Sequence, residues 1–399
     1  MKLHLKKINI IVFFTILTII ISNLSQLPYF SDNGLSSNIC MFSWSVLFVM
    51  SFLFKPYLKL NKTFLIFTFI FILFSFLLFL NFLATQNNYF SSSMFYSFCV
   101  TLFVFVVGSQ LSGINVRLKN WIFFSYVISA LFVALIVYIQ YFYNNITLDS
   151  RVYAYDSKNS LSQILLTAII FTIWCVPAKY FNKIVKIVIS AFLFLLIFLM
   201  RSRATILGII FILFLVFTSK VVKIRYKFLL AIASFGFVFA IALNANLYNL
   251  LVNNILLAGR NSGDLNDISS GRVYLIKNGL EQFSNNFVFG IGPKYLDCFP
   301  VAAFLQFGFF PGIIICLYAL YPIFFSLKNY NIYKNQVDNK FIYLALLMLS
   351  LIYCFNGLFE CLTPLGPGVK CYIIWFLIGF FSDKNCNEMR FNSYEKAKC

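Results

Sequence analysis

Long apolar runs separated by short polar segments recur along the whole chain. A membrane-crossing helix needs about 20 mostly apolar residues, so the pattern predicts an all-α, polytopic membrane protein of about twelve transmembrane helices. In such a fold the backbone polar groups are satisfied inside helices. The segments fall near 8–22, 38–54, 63–83, 94–111, 121–143, 160–177, 181–200, 203–219, 226–243, 301–327, 341–359 and 369–382. The first follows Lys6-Lys7 in the manner of a signal peptide, but Ser25-Gln26-Leu27-Pro28-Tyr29 offers no small-residue cleavage site, so it reads as the first span. Residues 1–399 are expected to form a single integral membrane domain, interrupted by one long outer loop over 244–300.

Composition agrees with that class: 61% of the residues are hydrophobic, 11% are charged and the mean hydropathy is +0.87. Charge fixes the orientation. With the N-terminus inside, the cytoplasmic segments hold 22 of the 31 basic residues, and eight of the 12 acidic residues fall on the outer face. The net charge of +19 then divides into +18 inside and +1 outside, the positive-inside pattern, with both termini cytoplasmic. The basic balance therefore does not require nucleic acid as a partner. The ten cysteines show no CxxC pair and no metal-ligand spacing. Cys298 and Cys361 share the outer face, where either free thiols or a disulfide is compatible with the sequence. The only histidine, His4, lies in the N-terminal tail, which leaves no histidine for outer-face catalysis.

Within the outer loop, a turn-rich stretch from Asn261 to Asp267 precedes a helical pattern from Arg272 to about Phe283, with Ser269 or Ser270 available as N-cap. Leu275, Ile276 and Leu280 share one side of that helix, and Lys277 and Glu281 have the spacing of an i, i+4 ion pair. A short amphipathic helix on the membrane surface or over a cavity mouth fits this pattern. Gly290-Ile291-Gly292-Pro293 follows, either as a simple turn or as a backbone that approaches a ligand closely.

Arg201-Ser202-Arg203 is the most informative short stretch, because it sits between two apolar runs. A central membrane arginine costs roughly 2.5 to 3.5 kcal/mol on insertion scales. The pair therefore faces a watery cavity, a protein interior or an anionic ligand, unless it is a turn whose arginines reach the headgroups.

Met200 to Ala204, then Ser270-Gly271-Arg272 opening a loop helix, then Asn286 to Pro293, resemble in order, spacing and side the O-antigen ligase and polymerase superfamily of bacterial inner-membrane proteins. Arg151 with Lys158-Asn159-Ser160 and Gln163 resembles a further segment of that family, and so does Gln306 to Gly312. The resemblance implies a metal-independent glycosyltransferase without cofactor at the periplasmic face. Its partners would be undecaprenyl-pyrophosphate-linked oligosaccharide, membrane lipids, a chain-length regulator and a flippase. Arg201 or Arg203, with Arg272, would bind the donor pyrophosphate, and Arg151, Lys158, Arg260, Gly290 and Gly292 are further candidate substrate-binding positions.

The chemistry is consistent with that expectation. Glycan transfer from pyrophosphate needs stabilisation of the departing diphosphate and removal of a proton from the acceptor hydroxyl. Guanidinium forks suit the first task. For the second, only carboxylates are available on the outer face, with Asp297, Glu281 and Glu360 best placed; Asp297 and Glu360 join Arg272 as catalytic candidates. Ligases of the family carry a histidine just before the span that follows the loop, where this chain has Asp297 to Gln306 with none. That departure favours an O-antigen polymerase over a ligase, while a lipid-linked oligosaccharide flippase or other transporter stays open.

Overall fold

A computed structural model describes residues 2–55, 61–143, 158–249, 251–252, 263–335, 340–366 and 369–382, among which every regular element is helical. Arg151 and Arg260 lie outside these residues. The principal helices are α1 (Lys2–Leu24), α2 (Ser36–Phe54), α3 (Lys62–Thr85), α4 (Ser93–Gln110), α5 (Val116–Val137), α6 (Lys158–Ile170), α7 (Lys183–Leu199), α8 (Arg203–Thr218), α9 (Ile224–Leu243), α10 (Arg272–Asn285), α11 (Phe299–Phe307), α12 (Phe309–Tyr333), α13 (Lys340–Asn356) and α14 (Val369–Phe381). Each apolar segment expected from the sequence falls on one of them, apart from 301–327, which is divided between α11 and α12. Among the described residues six helices are long and apolar enough to cross a membrane: α2, α3, α4, α5, α6 and α12, with α5 and α6 each extended by a wide turn at its end.

Local side chains set several helix starts. Asn61, Ser92, Asn115 and Asn182 each accept a first-turn backbone N–H, at 2.7, 3.2, 3.0 and 2.9 Å, relieving donors that no intrahelical partner reaches. The core is centred on α14, whose residues from Tyr372 to Phe380 are all buried. It lies directly on α4, because Gly108 and Gly379 face one another's backbones: a Cβ on either would come within 2.2 Å of a carbonyl oxygen, Phe376 or Phe105. Small residues of this kind let membrane helices touch backbone to backbone. Polar bridges tie other helices together, including Asn23 Nδ2 to Ser129 Oγ at 2.6 Å, Thr101 with Tyr318 at 2.9 Å and Thr167 with Tyr353 at 2.7 Å.

Gly308 divides the tenth expected segment. Its backbone sits at φ +81°, and a Cβ there would lie 2.1 Å from the Val288 carbonyl oxygen. The loop segment 287–292 is laid against this break, with Phe309 N–H donating to Phe287 O at 2.9 Å, Ile291 N–H to Leu305 O at 2.9 Å and Gly292 N–H to Gln306 O at 3.1 Å. The close approach at Gly290 is thus to the chain itself, since a Cβ there would meet Gly308 N at 2.5 Å.

The loop helix α10 forms where expected but is seated differently. Its N-cap is Gly271, in the left-handed region at φ +78°, because Ser270 is itself left-handed at φ +63°. Ser269 still serves the helix start, its Oγ accepting the Val273 N–H at 3.2 Å. Leu275 and Leu280 are exposed, whereas Gly279 is buried and admits Leu296, helped by Ile276 and Phe283. The expected Lys277–Glu281 ion pair does not form.

Candidate functional site

The site is built where α7 ends. In α7 the apolar run through Leu199 stops at Met200, and Arg201 takes the left-handed conformation at φ +53° while its N–H donates to Phe198 O at 2.9 Å. This is the helix C-terminal position at which glycine is usual, because a Cβ disfavours it. An L-residue held there costs about 1–2 kcal/mol. Arg201 is also only 8% exposed, so the chain keeps a strained, buried cation at the junction. Retained strain of this kind points to a task other than stability.

Neighbouring elements converge on the junction. Ser202 Oγ donates to Asn159 Oδ1 at 3.1 Å, which fixes the start of α6, and so Lys158, beside the arginines. Arg203 Nη2 donates to Ser270 Oγ at 2.6 Å, drawing the loop turn over the end of α8 and placing Arg272 two residues beyond that contact. The left-handed Ser270 does not cap α10 but presents its hydroxyl to the guanidinium.

Arg272 in turn pairs with Asp297 through Nε and Oδ2 at 3.4 Å, with both side chains about a quarter exposed. An ion pair of that length and exposure contributes roughly 0–1 kcal/mol, so an incoming anion can displace it at small cost. Tyr295 OH donates to the other Asp297 oxygen at 2.6 Å. Crowding of the hydroxyl, its bond to Asp297 and the neighbouring carboxylates push that phenol above its ordinary range, although the ring itself is largely exposed. Tyr295 consequently remains a hydrogen-bond donor at neutral pH.

Glu360 lies in the loop between α13 and α14 and is held from two sides. Gln163 Nε2 donates to Oε1 at 2.8 Å and Thr363 Oγ1 donates to Oε2 at 2.8 Å. A backbone bond from Phe299 N–H to Gly357 O at 2.7 Å ties this loop to the start of α11, just after Asp297. Glu360, Asp297 and Cys361 all act electrostatically on Tyr295, so the two candidate carboxylates share one neighbourhood. Cys298 and Cys361 are free thiols in the same region, and burial pushes the Cys361 thiol up to about 11.

Of the residues singled out from the sequence, Arg201, Arg203, Lys158, Arg272, Asp297 and Glu360 therefore gather at one end of the helices. Gly290 and Gly292 lie at the loop's docking point on the α11–α12 break, and Glu281 lies on the outer surface of α10. Tyr295 and Thr363 are members that the sequence does not single out, while Ser270 and Gln163, which carry part of the resemblance, have no site role assigned from it. A glutamine and a threonine beside a carboxylate leave little trace in a pattern of apolar runs, though Gln163 inside an apolar helix was a visible signal. An apolar cleft of about 750 Å³, lined by Leu166, Leu213 and Tyr226 with Lys223 and Lys340 at its edge, lies toward the opposite ends of α6 and α8.

The arrangement can bind a polyanion through several guanidinium groups while a fixed carboxylate stands beside it. A family model described as O-antigen ligase matches residues 188–309. The matched stretch runs from within α7 to the α11–α12 break and contains Arg201, Arg203, Arg272 and Asp297, while Gln163 and Glu360 lie outside it. No curated protein matches the chain.

Proposed function

We propose, from the match over residues 188–309, that the chain belongs to the O-antigen ligase/polymerase superfamily and is an O-antigen polymerase. It joins undecaprenyl-pyrophosphate-linked oligosaccharide repeat units at the periplasmic face of the inner membrane, in a fold of about twelve spans with both termini cytoplasmic. The observation that carries this reading is the bond from Arg203 to Ser270, which brings the α7–α8 junction and the start of α10 together and so gathers the arginines at one point.

In the transfer, a hydroxyl of the acceptor glycan attacks the anomeric carbon of the donor. The bond from that carbon to the pyrophosphate oxygen breaks, and the electron pair leaves with the pyrophosphate. Charge develops on the leaving group, where bidentate guanidinium groups of Arg201 or Arg203 and Arg272 stabilise it. Glu360, oriented by its two donors, takes the acceptor proton, and Asp297 releases Arg272 as the donor enters.

The missing histidine between Asp297 and Gln306 supports a polymerase over a ligase. Deletion of the gene followed by lipopolysaccharide gel analysis tests the choice. A polymerase leaves a single repeat unit on the lipid A core. Loss of all attached O-antigen instead identifies a ligase or a flippase.

A further inference from the structure

Gln163 sits in the interior of α6 and is 1% exposed. Its amide oxygen accepts no hydrogen bond, while its Nε2 donates to Glu360. A buried polar atom left without a partner costs about 1–3 kcal/mol, so this side chain does not serve helix packing. That role belongs to Thr167, one turn further along α6, which already bridges to Tyr353. The same expense recurs close by: Asn356, at the end of α13 and leading into the loop that carries Glu360, is fully buried with neither amide atom hydrogen-bonded.

We infer that Gln163 is a positioning residue for Glu360, an inference that rests on the reading of Glu360 as the base in glycan transfer. An amide N–H donated to a carboxylate favours its ionised form and fixes its orientation, while each oxygen keeps a further lone pair to accept a proton. Thr363 holds the second oxygen from a loop, whereas Gln163 anchors the first from a helix. The acceptor hydroxyl's proton then passes to an oxygen of Glu360 as the glycosidic bond forms and the pyrophosphate departs. Among the described residues, Glu360, Asp297 and Cys361 share the neighbourhood of Tyr295, Arg272 pairs with Asp297, and Lys158, Arg201 and Arg203 stand at the start of α6 and the α7–α8 junction.

The test is the pH dependence of the initial rate of the purified full-length chain, using lipid-linked oligosaccharide extracted from producing cells. Gln163→Leu removes the donor, and its acid limb is expected to move upward by about one pH unit, an extra loss of roughly tenfold at acidic pH that recovers toward pH 8. Gln163→Glu sets two carboxylates together and should move the limb further. Thr363→Val should move it less, and the KM for the donor should stay constant in all three. If Gln163→Leu fails to accumulate, the other two variants carry the test. Equal loss of rate at every pH in the folded variants overturns the inference while leaving Glu360 as base. A Glu360→Gln variant with the wild-type rate overturns the base itself, and the inference with it.

Discussion

Arg201 occupies a helix-terminal position that suits glycine, and the substitution Arg201→Gly separates stability from function at one residue. In the left-handed conformation an L-residue costs about 1–2 kcal/mol that glycine avoids. Glycine loses about 0.4–1 kcal/mol of this advantage through its freer unfolded chain. Net, Arg201→Gly is expected to be about 1 kcal/mol more stable than Arg201→Ala, which keeps the φ of +53° with a Cβ in place. For a chain of this length that difference corresponds to a rise of about 1 °C in unfolding midpoint, followed by tryptophan fluorescence of the purified protein in detergent. Both variants are expected to form no polymer, because neither supplies the buried cation. A glycine variant that melts clearly below the alanine variant refutes the backbone argument. Normal polymer from either variant refutes the assignment of Arg201 to the donor site.

Arg272→Ala should abolish polymer at normal protein abundance by immunoblot, since a cation at a helix N-terminus opposes the dipole and is not there for stability; a normal chain-length ladder would contradict this. Arg→Lys at 201 and 203 keeps the charge and loses the planar fork, so at least one of the two lysine variants should be severely impaired in transfer, and normal ladders from both would exclude a fork-shaped clamp. Cys361, held at about 11, should react slowly with a maleimide at pH 7.5 and faster as pH rises toward that value, because its thiolate is scarce below it; rapid labelling at pH 7.5 would show the thiol to be neither buried nor raised.

The helices were legible because a membrane span writes itself as a long apolar run. The break at Gly308 was not, since Phe307-Gly308-Phe309 is as apolar as what surrounds it, and only the left-handed backbone and the approach of Val288 reveal that the chain must turn there. The loop helix showed its extent but not its seating. Leu275 and Leu280 suggested the inward side by hydrophobicity, yet the contact is made through Gly279, where absence of a side chain lets Leu296 in. At the site the sequence pointed to the cations, because charge between apolar runs is costly wherever it occurs. It marks Ser270 as a cap and motif residue but not its bond to Arg203, and it is silent on Thr363, because these hydrogen bonds span a large separation along the chain or lie in an irregular loop.

The central claim is that this chain itself joins lipid-linked repeat units at an arginine-rich site. Purified protein incubated with isolated undecaprenyl-pyrophosphate-linked repeat unit and no other protein tests it most directly, with products separated by gel. A ladder of lengthened lipid-linked glycans is expected from the wild-type chain and none from Arg272→Ala. A wild-type chain that leaves the repeat unit unextended, yet transfers it to lipid A core when that acceptor is added, would contradict the polymerase assignment.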